Sequence, residues 1–199
     1  MLAEIRKKYM TWLFLALNVV AYLLYEILGE VVYAAGSLSV LDMIERQEYY
    51  RVLSSMFLHA GVDHIVGNML FVVILGDMLE QAIGHIPFAV IYLLTGIGGN
   101  LCSMLFELTT GSFYHTVGAS GAVCGMMGAL LVLVIRNRGN FGHISLKRML
   151  LAIVYMIYTG VQSPIVNNAA HMGGLLSGIL LMTMFTLLQR RSHKQSENR

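Results

Sequence analysis

The chain has 199 residues, 57% of them hydrophobic and 12% charged, with a mean hydropathy of +0.69. Those values exclude an ordinary soluble domain and lead us to expect a membrane protein. The formal net charge of +2 says little by itself, because in a membrane protein the position of each charge matters more than the sum. Cys102 and Cys124 both fall inside apolar runs without a ligand partner at short spacing, which argues against a disulfide framework or a zinc site.

A helix needs about 20 apolar residues to cross the hydrocarbon core. On that scale the sequence predicts an all-α membrane protein, a six-transmembrane-helix bundle read as one domain over 1–199. The first span, 9–28, follows Arg6, Lys7 and Lys8. It is too long for a signal-peptide core, lacks a cleavage site and is followed by five more hydrophobic runs. The loop 29–63 carries only Arg46 and Arg51 against several acids, and its string "VLDMIERQEYYRVLSSMFLHAGVD" holds more apolar residues than a solvated linker requires. It is expected to pack on or dip into the membrane surface.

The second span, 64–83, opens with "HIVGN", and the third covers 87–106. The fourth, 118–135, opens around "GASG" and closes at Arg136 and Arg138. The fifth, 146–162, carries Lys147 and Arg148 at its start and ends in the helix-breaking "VQSP". The sixth, 169–188, begins in "NNAAHMGG" and leads to the tail 189–199 with Arg190, Arg191 and Lys194. The excess of cations at both ends and in the loop after the fourth span sets both termini in the cytoplasm by the positive-inside rule. Anchoring at an anionic leaflet accounts for the basic tail without nucleic acid as a partner.

Polar groups inside spans are costly in lipid and tend to face the bundle interior or a wet cavity. His64 and Asn68 begin the second span at i, i+4 spacing and share one face. Ser120 begins the fourth, and His171 begins the sixth. Spans two, four and six all run inward from the outside, so these starts are expected at one depth near the external surface. Gly118, Gly121, Gly125 and Gly128 form a small-residue stripe, and Gly174 and Gly178 share a face with His171, which lets the helices approach closely. Glu80 and Asp77 lie near the inner end of the second span, and Ser103, Ser163 and Ser177 have no such company, so these are expected to be structural.

A lone serine in a membrane helix usually serves packing; a hydroxyl, an imidazole and a second donor pair at one depth are harder to explain that way. Serine becomes a nucleophile when a base takes its proton, and histidine is suited to that role. Ser120 is expected to attack and His171 to accept the proton and return it to a leaving amine, as in peptide hydrolysis through an acyl-enzyme. No intramembrane acid stands beside His171, so a dyad is expected, with Asn168 or a backbone group orienting the ring. Asn68, His64 and the Ser120 backbone N–H, at a helix start, are the candidate oxyanion donors. Gly118 and Gly121 would let a substrate backbone come close. His59, Ser55 and Tyr114 are expected to line a water-accessible cavity. No cofactor or metal is called for.

The motifs "YYR", "FLHAGVDHIVGNM", "LGDMLEQAIG", "GASGAVCGMMG" and "NNAAHMGGLLSG", taken together, resemble the rhomboid family of intramembrane serine proteases in its minimal bacterial form. The resemblance implies that Ser120 is the nucleophile, His171 the base, and His64 and Asn68 oxyanion donors. It implies a lateral access route flanked by the first loop and a mobile fifth span. It implies substrates that are single-pass membrane proteins of a cell membrane, cut near the outer end of their span after small residues. Two departures stand out. Tyr50 precedes the loop Arg51 where members commonly have tryptophan, and Cys124 occupies the place of an aromatic that usually stacks on the catalytic histidine. The alternatives are an inactive relative that grips transmembrane segments and, with less support, a small transporter, which would carry polar residues through the whole bilayer depth.

Overall fold

The computed structural model describes residues 9–163 and 166–197, with side chains through residue 190. Arg6, Lys7 and Lys8, and the side chains of Arg191 and Lys194, lie outside the described residues. The chain forms α1 (Tyr9–Leu28), α2 (Glu30–Gly36), α3 (Val40–Arg46), α4 (Arg51–Ser54), α5 (Val62–Ile83), α6 (His85–Thr110), α7 (Ser120–Arg136), β1 (Asn140–Phe141), β2 (Ile144–Ser145), α8 (Leu146–Gln162) and α9 (Asn168–Glu197). It is a helical membrane protein. α1, α5, α6 and α9 are each long and apolar enough to cross a bilayer. α7 is apolar but has 17 residues, about 26 Å of helix against a core of about 30 Å.

Each of the six expected spans coincides with one of these long helices to within a few residues, except that α9 continues as helix through Glu197, beyond the expected end at 188. The expectation of helices alone needs one correction. Between α7 and α8, β1 and β2 pair antiparallel, Asn140 opposite Ser145 and Phe141 opposite Ile144. Gly142, the first residue of the two-residue loop, supplies the positive φ, 55°, that this tight reversal requires, and Gly139, φ 90°, lies just before β1 where the chain leaves α7.

α7 is the buried centre. Its glycine stripe meets α9 backbone to backbone: a Cβ added at Gly174 would lie 2.0 Å from the Gly121 carbonyl oxygen, and one at Gly178 only 1.9 Å from that of Gly125. The same stripe also meets α6, where a Cβ at Gly125 would strike Thr95. α6 and α9 interlock through Gly98 against Ser177 and Gly173 against Cys102. Close approach of this kind maximises dispersion contacts where lipid offers no hydrophobic drive between helices. α8 is different, burying only Met149, Ile153 and Gly160.

Glu80 proves to be a helix cap. Nearly fully buried on α5, its carboxylate accepts from Met10 N (2.9 Å), Thr11 N (2.8 Å) and Thr11 Oγ1 (2.6 Å), satisfying first-turn donors of α1. The loop 29–63 is folded into short helices around Arg51, which is 2% exposed. Its guanidinium donates to the carbonyls of Ala34 (2.7 Å) and Ser37 (2.8 Å) and pairs with Glu48 and, at 3.6 Å, with Asp42. Tyr50 lies on the outside of this knot, its hydroxyl donating to the Ala35 carbonyl at 3.0 Å.

Candidate active site

Three helix starts meet at the loop that leads into α7. That loop is fixed first by backbone: Thr116 and Leu38 exchange N–H···O bonds of 3.0 and 2.9 Å, and Gly118 N donates to the Ser55 carbonyl at 2.9 Å. Ser55 is held in turn by Asn100 of α6, whose amide donates to Ser55 Oγ (2.9 Å) and to the Val52 carbonyl (2.8 Å). Gly118 has φ +123°, and a Cβ there would lie 2.7 Å from His64 Nε2 and 3.6 Å from Asn68 Nδ2. The two α5 side chains therefore face the backbone just two residues before Ser120.

The tautomer of His64 follows from its other nitrogen. Ala60 N–H points at Nδ1 at 3.5 Å, which leaves Nδ1 as acceptor and Nε2 as the N–H donor toward Gly118. His59 stacks edge-on against the same ring, centroids 5.0 Å apart. It is fully buried with neither ring nitrogen hydrogen-bonded, and burial, reinforced by the neighbouring His64, lowers its pKa to about 4, so the ring is neutral.

Ser120 is the first residue of α7, with Ala119 as the cap. His171 lies in the first turn of α9, one turn before Gly174, and the Ala170 carbonyl oxygen would lie 3.7 Å from a Cβ on Gly121. The backbones beside the serine and the histidine are thus in contact. Their side chains are not hydrogen-bonded to each other, and His171 Nδ1 is buried without a partner. His171 instead borders a cavity of about 170 Å³ lined also by Met156, Ile157, Val161, Asn168 and Met172. Cys124, one turn after Ser120, is buried, with Sγ 3.1 Å from Met156 Sδ across the α7–α8 contact. Among the described residues no group of three or more His, Cys, Asp or Glu side chains could hold a metal ion.

Asn168 does not orient His171. Its side chain is turned to α8, where it meets Gly160. The residue that sequence reasoning passed over is Asn167, which accepts from Ala170 N (3.0 Å) and donates to Ser103 Oγ (2.6 Å) and Thr116 Oγ1 (2.9 Å). Ser103, expected to stand apart, donates to Glu107 Oε1 at 3.0 Å, and Glu107 is fully buried. The available signal was the i, i+4 pair of Ser103 and Glu107 in an apolar span, since a buried carboxylate needs partners. Tyr114 sits at the far end of this network, its N–H 3.5 Å from Glu107 Oε2.

Comparison with known proteins agrees with this architecture. The family model described as Rhomboid domain matches residues 46–188. The chain is 33% identical to RHOMBOID-like protein 1 of Arabidopsis thaliana over 82% of its own length and 41% of the relative's. It is 33% identical to Rhomboid protease GluP of Bacillus subtilis over 84% of its own length and 33% of the relative's. It is also 34% identical to Inactive RHOMBOID-like protein 8 of Arabidopsis thaliana, over 71% of its own length and 40% of the relative's. The chain spans less than half the length of each of these relatives. With a family model covering most of its length and the same motifs gathered at three meeting helix starts, the chain belongs to the rhomboid family.

Proposed function

We propose that this chain is an intramembrane serine endopeptidase working through Ser120 as nucleophile and His171 as general base and acid. Ser120 Oγ attacks the scissile carbonyl while His171 takes its proton, then passes it to the leaving amine; water repeats the cycle to release the acyl group. The oxyanion is met by His64 Nε2–H, the Asn68 amide and the Ser120 backbone N–H, donors of a kind that contribute about 100- to 1000-fold each in a dry site. The observation that carries the reading is Gly118, whose bare Cα faces both His64 Nε2 and Asn68 Nδ2 two residues ahead of Ser120. No cofactor enters this chemistry.

The membrane arrangement that goes with it is six crossings, α1, α5, α6, α7, α8 and α9, with both termini cytoplasmic and the site open to the opposite face. Charge placement supports this, and the shortness of α7 supports a serine set below the surface. Single-pass membrane proteins are the substrates, and a cell membrane is the location. An inactive, segment-binding relative is the second reading, favoured by the lack of a Ser120–His171 hydrogen bond and by the likeness to Inactive RHOMBOID-like protein 8.

A fluorophosphonate probe distinguishes them. The detergent-solubilised chain is expected to label, with labelling lost in Ser120→Ala and greatly reduced in His171→Ala. A folded wild type that stays unlabelled supports the inactive reading.

A further inference from the structure

The proposed chemistry leaves Asn167 without a task, yet every polar atom of its side chain is engaged. It sits at the N-cap of α9, and Oδ1 accepts from Ala170 N, the residue immediately before His171. One Nδ2 hydrogen goes to Thr116 Oγ1, four residues before Ser120, and the other to Ser103 Oγ on α6. Ser103 is itself held by the buried Glu107 carboxylate, and Thr116 by its two-way backbone bridge to Leu38. One amide therefore joins the segment that delivers the serine, the helix turn that delivers the histidine, and a buried anchor on a third helix.

Capping alone does not need an amide. Serine, threonine or aspartate would serve the α9 donor equally well. The two donations do need one: a carboxylate has no hydrogens to give, and a hydroxyl has one. Since Ser120 and His171 are not joined directly, their separation is set by the segments that carry them, and the Asn167 side chain bonds to the Thr116 hydroxyl on one and to the Ala170 backbone N–H on the other. We propose that Asn167 is a positioning residue that fixes the distance between Ser120 and His171 by clamping Thr116 to the first turn of α9, with Ser103 and Glu107 as the fixed post. The inference rests on the protease reading. Its expected signature is kinetic, because a misplacement of about 1 Å can cost on the order of 100-fold in rate while leaving binding little altered.

The test uses the full chain in detergent and the rate of fluorophosphonate labelling as a function of probe concentration, which separates the maximal rate from the half-saturating concentration. Asn167→Ser keeps the cap acceptor and removes the amide; Thr116→Val removes one acceptor and leaves the α9 cap untouched. Each is expected to lower the maximal rate by about tenfold or more with the half-saturating concentration within about twofold, and the double variant to be no slower than the slower single one. The thermal midpoint of Asn167→Ser should stay near that of wild type, since the cap survives; should it fall, Thr116→Val alone carries the comparison. Wild-type maximal rates in both variants overturn the clamp, as do losses that add in the double variant. A folded wild type that does not label overturns the protease reading and this inference with it, whereas a labelling wild type beside equally reactive variants overturns the inference alone.

Discussion

His59 is a buried imidazole with no hydrogen bond, and that isolation has a measurable cost. Its pKa falls from 6.5 in the free side chain to about 4, chiefly through desolvation. Between those values the unfolded chain binds a proton that the folded chain refuses, so stability rises with pH. The contribution is fully present above about pH 6.5 and is lost as the pH falls toward 4, on the order of 3 kcal/mol over that window. Thermal melts in detergent should show the midpoint dropping through this range, and His59→Phe should flatten that part of the profile; an unchanged slope would place the sensitivity elsewhere. At this scale the sequence was partly legible. His64, Asn68, Ser120 and His171 could be named because their positions at helix starts follow from where the apolar runs begin. Asn168 was offered, beside a backbone group, as what could orient His171, and the sixth helix was expected to start at 169. It starts at 168, and a slip of one residue rotates the cap by about 100°, exchanging which asparagine faces α6.

At the level of elements, long apolar runs announce themselves, which is why each of the six long helices could be placed from hydropathy alone. The helices α2, α3 and α4 could not, because they are short and depend on tertiary bonds to Arg51 rather than on periodicity. Arg51→Ala strips the Ala34 and Ser37 carbonyls and two carboxylates of their common donor. Several charge-assisted bonds disappear together, so a loss of about 2 to 4 kcal/mol is expected, read as a lower thermal midpoint, and limited proteolysis should begin within residues 29–50. A variant that melts like wild type and resists cleavage would show the loop to be held by other contacts. The β1–β2 turn was equally hard to see, since two-residue strands carry no pattern; only the glycines at 139 and 142 hinted at it.

For the molecule as a whole, the cation distribution predicts which face each loop occupies. Tags placed at the two termini should be cleaved from the same side of sealed vesicles, and a protease site inserted beside Gln47 from the other. Cleavage of the two termini from opposite sides would refute an even number of crossings. The way α8 is attached bears on the substrate access that the proposed function calls for. Its N-terminal end is pinned, with Leu146 N bonded to the Gly139 carbonyl at 2.8 Å and the Arg148 guanidinium to that of His143 at 2.9 Å. Its far end meets α9 at Gly160 and Asn168 beside the cavity that His171 borders. α7 and α9, locked glycine to glycine, offer no comparable slack. On the proposed protease reading, a polypeptide substrate would meet one stiff jamb and one swinging door: a tilt of about 10° over α8's roughly 26 Å would carry its C-terminal end about 4 Å, close to the width of an extended chain.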